Sequence, residues 1–248
     1  MEALSPGKKR SFRKRLLTWY EGNKRDFPWR GSDDPYRILM AEMMLRRTRA
    51  KQVAPVYDRF IREHPAPEDV YRADPGRLAS QLKSLGLDWR INQFKHLASD
   101  IVERFSGRVP ATREELMELT GVSDYLADAV LVFAYGQGRA VLDANVARVI
   151  SRYFGLREHT EARRDKRVRK LADDLVDQDR PRDYNFAILD LAASVCTPLN
   201  PKHDGCPLRR TCAVSLKSRH ESLVKRTKSV DGHLDHSTRA PSHVRTAT

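Results

Sequence analysis

Apolar residues along the chain recur at spacings of three and four, the period of an amphipathic helix. Phe12, Leu16, Leu17 and Tyr20 form a first stripe, stopped near Gly22-Asn23. Pro35 suits a first helical turn, and Leu39, Met40, Met43 and Met44 continue it. Val53, Val56, Tyr57, Phe60 and Ile61 form the next stripe. Leu78, Leu82 and Leu85 end at Gly86, and Phe94, Leu97, Ile101, Val102 and Phe105 end at Gly107, each glycine a natural helix stop. Thr112 stands three residues before Glu115, the spacing of a capping box. Helical stretches then follow over 126–133, 145–153, 168–176 and 186–195. Strict alternation over four residues hardly occurs, so the pattern predicts an all-α fold with short connections.

Composition and charge extend this picture. The chain has 248 residues, enough for one large domain or two small ones. Its formal charge of +13 predicts attraction to a polyanion, with nucleic acid and an anionic membrane surface as the general candidates. No apolar run approaches a membrane span and no secretory signal is read at the start, so the expectation is no membrane association and a cytoplasmic, nucleoid-associated protein, or a nuclear one in a eukaryote. From Lys217 onward there are seven Lys or Arg, three acids, four His and no aromatic residue, the composition of a disordered basic tail. The three cysteines all lie within Cys196–Cys212; an odd, clustered set points away from a disulfide framework and towards a metal site.

The segment Leu119-Thr-Gly-Val-Ser-Asp-Tyr125 falls between two predicted helices. A glycine in such a turn lets backbone N–H groups point outward beside a helix N-terminus, where the dipole favours an anion. On a basic protein that anion is a nucleic-acid phosphate; a helix hairpin also needs a glycine for the turn alone.

Leu119–Ser123 resembles the L-P-G-V-G hairpin of the helix-hairpin-helix base-excision DNA glycosylases. The resemblance runs on through Val141-Leu-Asp-Ala-Asn-Val-Ala-Arg-Val149, similar to that superfamily's aspartate motif, and back to Phe27-Pro-Trp-Arg30 and to Pro35–Thr48. It covers roughly residues 10–215, and is nearest to the thymine–guanine mismatch glycosylases, with the adenine glycosylases close behind. Two positions depart from the hairpin pattern: Thr120 stands where proline is usual, and Ser123 where a second glycine is usual.

The resemblance implies a set of roles. Breaking an N-glycosidic bond develops positive charge on the sugar and negative charge on the leaving base, so the chemistry asks for a carboxylate beside one and a donor beside the other. Asp143 matches the essential aspartate, with Asn145 two residues on; read alone, Asp143 is either a helix N-cap or a functional carboxylate. Glu42 lies among Ile38, Leu39 and Met43, where burial would raise its pKa, while Arg46 at i+4 would keep it ionised. Tyr125 stands where strand-cutting relatives carry a Schiff-base lysine; a phenol forms no imine, so a monofunctional enzyme is expected. The target base must leave the duplex. Arg46, Arg47 and the Gly86–Arg90 loop, with Trp89 as a stacking wedge, are the expected probes of the gap, and Gly121, Ser123 and Asn145 join them as DNA-binding residues. The superfamily's iron–sulfur loop reads C-x6-C-x2-C-x5-C, and Cys196, His203, Cys206 and Cys212 keep every spacing with histidine at the second position. Three thiolates and an imidazole suit a [4Fe–4S] cluster, with zinc as the alternative.

The expected architecture has two helical lobes. A six-helix lobe spans 28–138; residues 10–27 join 139–215 in the second; 216–248 form the tail. The expected function is hydrolytic release of thymine, or uracil, opposite guanine in double-stranded DNA by a monomer. Adenine release opposite 8-oxoguanine or guanine is the alternative. Against it, only the basic tail follows the cysteine loop, where adenine glycosylases usually carry a further domain, and Arg46-Arg47 stands where they usually have Gln-Gln. The second alternative is a non-catalytic DNA-binding module.

Overall fold

A computed structural model describes residues 5–86, 91–157 and 162–217. The described residues are all-helical and contain no strand. The helices are α1 (Pro6–Glu21), α2 (Pro35–Leu45), α3 (Ala50–Glu63), α4 (Pro67–Arg72), α5 (Pro75–Leu82), α6 (Ile91–Phe105), α7 (Arg113–Glu118), α8 (Asp124–Phe133), α9 (Ala144–Phe154), α10 (Lys166–Leu175) and α11 (Pro181–Ser194). Local chemistry sets most boundaries. Proline opens α1, α2 and α5 immediately after Ser5, Asp34 and Asp74, whose side chains accept from the N–H groups of Lys8, Arg37 and Arg77. Gly86 and Gly155, at φ 65° and 72°, end helical segments in the left-handed region.

Among the described residues the span 28–138 holds seven α-helices, not six, because α4 is a helix that periodicity does not reveal. It has only six residues and buries only Pro67 and Val70. Its N-terminus is held locally, with Asp69 reaching back to the Ala66 N–H. Its C-terminus is held from far along the chain: Lys95 of α6 donates to the carbonyls of Val70, Tyr71 and Ala73. A cation on the last carbonyls satisfies orphan acceptors and complements the helix dipole.

α2 lies at the centre, buried nearly all round, against α3 and α8, with α4, α5 and α6 beyond. α1 packs on α10 and α11, and α9 on α10 and α11. Phe12, Tyr153, Phe154 and Tyr184 form an aromatic cluster in that second body. Phe133 of α8 stacks on Phe186 of α11 with ring centroids 4.1 Å apart, joining the two bodies beside the site described below. Asn185 of α11 accepts from the Val141 N–H and donates to the Arg139 carbonyl, holding the connection that leads into α9. Of the basic tail expected from 216, Leu216 and Lys217 belong to a helical turn at 213–217; 218–248 lie outside the described residues, as do 87–90 with Trp89.

Candidate active site

A cleft of about 260 Å³ opens where the 25–30 segment, α2, α8, α9 and α11 meet, and Glu42, Tyr125, Asp143 and Asn145 all line it. Each is placed by its element. Asp143 caps α9: its Oδ1 accepts the Val146 N–H at 2.7 Å, and its Oδ2 accepts from the Asn145 amide at 2.7 Å. Asp143 thus caps the helix while its carboxylate lines the cleft. Asn145 is oriented in turn by Arg148, which donates to Asn145 Oδ1 at 2.9 Å. The same guanidinium donates to the carbonyls of Cys196 and Ala192, both at 3.0 Å. A continuous chain of hydrogen bonds thus connects the Asp143 carboxylate with the start of the cysteine loop.

Glu42 is buried, 5% exposed, on the face of α2 turned to the cleft, and its Oε2 has no hydrogen-bond partner among the described residues. Burial pushes its carboxyl up to about 7; the facing Tyr125 hydroxyl draws it down, Asp143 raises it, and Arg30 lowers it. Burial and the neighbouring Glu42 and Asp143 hold the Tyr125 phenol firmly protonated. The cation acting on Glu42 is thus Arg30, from a distant segment. Arg46, expected to pair with Glu42, is turned to the hairpin instead, where it donates to the Gly121 carbonyl at 3.2 Å. At Arg46 φ is still helical, −63°, and only ψ is extended, so it is the side chain's choice of acceptor, the Gly121 carbonyl, that takes it from Glu42.

The opposite wall joins residues that no sequence motif links. Arg30 makes a bidentate pair with Asp190 at 2.7 Å on both oxygens, and Arg25 adds a further contact to the same carboxylate. Asp190 is fully buried. The Arg30 guanidinium lies 4.5 Å above the Phe186 ring, and Phe27 stacks on Trp29 at 5.0 Å. Phe27, Trp29 and Phe186 give the cleft flat apolar walls with cations at its rim. Asp190 is 160 residues from Arg30, and no local pattern joins them.

The hairpin forms as expected. Gly121 sits at φ 80°, a value that favours glycine, whereas Ser123 sits at φ −109°, open to any residue, and caps α8 by accepting from Leu126. The N–H groups of Gly121, Ser123, Asp124 and Tyr125 make no hydrogen bonds among the described residues. Arg47 is exposed in the turn after α2 at φ 62°, a left-handed backbone that costs a side-chain-bearing residue roughly 1–2 kcal/mol.

Cys196, Cys206 and Cys212 are each half-buried, with Cys212 donating to the Arg152 carbonyl near the C-terminal end of α9; burial pushes the Cys196 and Cys206 thiols up, and Cys212 acts on both in the same direction. Arg152 holds the loop by donating to the carbonyls of Thr197 and Pro198 and to the Cys196 sulfur. His203 joins through its backbone, accepting the Cys206 N–H at 3.1 Å. Among the described residues these groups do not converge into a closed ligand set. By the chemistry of the donor set, three thiols and the imidazole of His203 suit a thiophilic metal or an iron–sulfur group.

A helix-hairpin-helix set beside a carboxylate-bearing interhelical cleft defines a scaffold for acting on DNA. Residues 40–190 match the model of the HhH-GPD superfamily base excision DNA repair proteins. The chain belongs to that superfamily. It is 36% identical over 214 residues to a thymine/uracil-DNA glycosylase of Methanothermobacter thermautotrophicus, covering 86% of this chain and 97% of that protein. It is 32% identical over 242 residues to an adenine DNA glycosylase of Homo sapiens, covering 94% of this chain and 44% of the human one. A thermostable thymine-DNA glycosylase of known structure superposes with a TM-score of 0.81 at 36% identity, over 87% of this chain and 100% of that one.

Proposed function

We propose that this protein is a monofunctional DNA glycosylase that hydrolyses the N-glycosidic bond of thymine or uracil mispaired with guanine in duplex DNA, acting as a monomer. The observation that carries the reading is the meeting of Glu42, Tyr125 and Asp143 in one base-sized cleft. The similarity to thymine/uracil-DNA glycosylases along nearly their whole length supports the choice of base.

The target base, turned out of the stack, enters between the aromatic walls. Glu42, mostly protonated below about pH 7, donates a proton to the departing base. The Asp143 carboxylate, steered by Asn145, faces the positive charge that grows on the sugar. Water adds to the sugar carbon as the bond to the base breaks and releases a proton that restores the Glu42 carboxyl, leaving an abasic site and the free base. Tyr125 offers no amine for an imine, so the strand stays intact. Gly121, Ser123, Arg46, Arg47 and Trp89 contact the DNA, with Arg47 and Trp89 at the strand opposite the target. Cys196, His203, Cys206 and Cys212 hold a [4Fe–4S] cluster, or alternatively zinc. Bound there, the group fastens the loop and supplies no step of the reaction.

Cleavage of T:G, U:G and A:8-oxoguanine duplexes, revealed by alkali, tests the reading. Product from T:G or U:G only after alkali is expected. Product from the adenine duplex alone would move the specificity to adenine, and binding with no base release would leave a DNA-binding module. Strand breaks without alkali, or a borohydride-trapped complex, would overturn the role given to Tyr125. Metal analysis with a visible spectrum decides the loop: a broad thiolate–iron band is expected, and a colourless protein with stoichiometric zinc would refute the cluster.

A further inference from the structure

The hairpin carries an unexplained substitution. Thr120 has a backbone N–H where the family's hairpin pattern has proline, which has none. That N–H is satisfied by a side chain from another helix: Asp100 of α6 accepts it through Oδ2 at 2.7 Å. The length is that of a charge-assisted bond. One helical turn on, Arg104 lies 3.8 Å from Asp100 and donates to both the carbonyl and the carboxylate of Glu118, the last residue of α7. From the other side Arg46 holds the Gly121 carbonyl. The turn is therefore gripped from α6 and from the end of α2. The cost is apparent: a carboxylate has been set beside a turn whose open N–H groups suit a phosphate, and like charges repel.

We infer that Asp100 is a positioning residue for the hairpin's phosphate contact, doing by a hydrogen bond what proline does by its ring. Proline at this position would remove a donor that needs a partner and would restrict the backbone before the left-handed Gly121. Thr120 leaves both freedoms in place, and the Asp100 bond removes them. The local backbone fits this equivalence. Leu119 is extended at φ −72°, ψ 137°, the conformation demanded of a residue before proline, and Thr120 is not among the positive-φ residues. The inference rests on the reading of the hairpin as a DNA contact.

The test compares Asp100→Ala and the double variant Thr120→Pro, Asp100→Ala with the wild type in the full chain. Its readouts are duplex Kd at fixed salt, base release at saturating enzyme, and hydrogen exchange of the Thr120 amide. Asp100→Ala should weaken duplex binding about tenfold, near the worth of one charge-assisted hydrogen bond. Thr120 exchange should speed up, while the saturated rate of base release stays within about twofold, since the chemical groups are untouched. Asp100→Asn, which keeps an acceptor oxygen, should bind within about twofold of the wild type. The double variant Thr120→Pro, Asp100→Ala should bind like the wild type, the ring supplying the restraint; it is the double variant that is compared, because with Asp100 in place the ring Cδ would enter the space of its Oδ2. If Asp100→Ala does not fold, Asp100→Ser, too short to reach the Thr120 N–H, takes its place. A double variant that binds as weakly as Asp100→Ala, or unchanged affinity after Asp100→Ala, would each overturn the inference. Absence of duplex binding by the wild-type protein would instead sink the functional reading itself.

Discussion

Glu42 offers the sharpest test of the link between fold and chemistry. Its carboxyl ionises at about 7 in the folded protein, against an ordinary value of 4.5. A carboxyl whose pKa is raised by folding is most favourable to the fold when protonated, so its penalty is absent below pH 4.5. The penalty builds as pH rises towards 7 and is complete by about pH 8. A rise from 4.5 to about 7, at about 1.4 kcal/mol per pH unit, makes the ionised carboxylate cost the fold about 3 kcal/mol. The side chain is only 5% exposed, so solvent screening takes little of this away. Glu42→Gln keeps the shape and stays neutral at every pH. In urea titrations it should match the wild type near pH 4.5 and exceed it by about 3 kcal/mol at pH 8. Its Tm at pH 8 should rise by about 6–12 °C for a protein of this size. Base release by the same variant should fall at least about a hundredfold, the usual contribution of a proton donor. In the wild type, release at saturating enzyme should decline as pH rises through about 7. A stability gap that is the same at all pH values, or no gap at pH 8, would refute the burial argument.

Three further outcomes follow from the geometry. Asp143→Asn should abolish base release while changing stability by less than about 0.5 kcal/mol, because asparagine caps a helix as well as aspartate does; a comparable loss in chemical denaturation would mean that the carboxylate's charge is structural. Arg148→Met removes donors from Asn145, Ala192 and Cys196 together and should cost about 2–3 kcal/mol, with release slowed about tenfold and duplex affinity little changed; single-turnover kinetics at saturating enzyme would show it. Asp190→Asn leaves Arg25 and Arg30 short of their buried counter-charge and should cost about 3–5 kcal/mol. It also frees Arg30 to act on Glu42, so the alkaline decline in activity should move to lower pH, which a pH–rate profile reads directly.

The reach of local sequence can be traced residue by residue. Helical periodicity located α1, α2, α3, α6, α8, α9 and α11 because each presents a long apolar stripe to the core. It missed α4, whose carbonyls are satisfied by Lys95, a partner more than twenty residues away. Motif spacing singled out Glu42, Tyr125, Asp143 and Asn145, and the structure brings all four to one cleft. Spacing put Arg46 beside Glu42, whereas its guanidinium donates to the Gly121 carbonyl, 75 residues away in the chain.

What the sequence determined by itself was an all-helical, strongly basic chain with a hairpin, a catalytic-type aspartate and a clustered set of thiols, because these depend on neighbours within a few residues. Only the tertiary structure decided the rest. Arg30 and Asp190 meet across 160 positions. Glu42 reaches a pKa of about 7 because distant elements bury it. Asp100 supplies from α6 the restraint that Thr120 lacks. Each is a matter of desolvation or of pairing between segments far apart in the chain, and such energies exist only once the helices have packed.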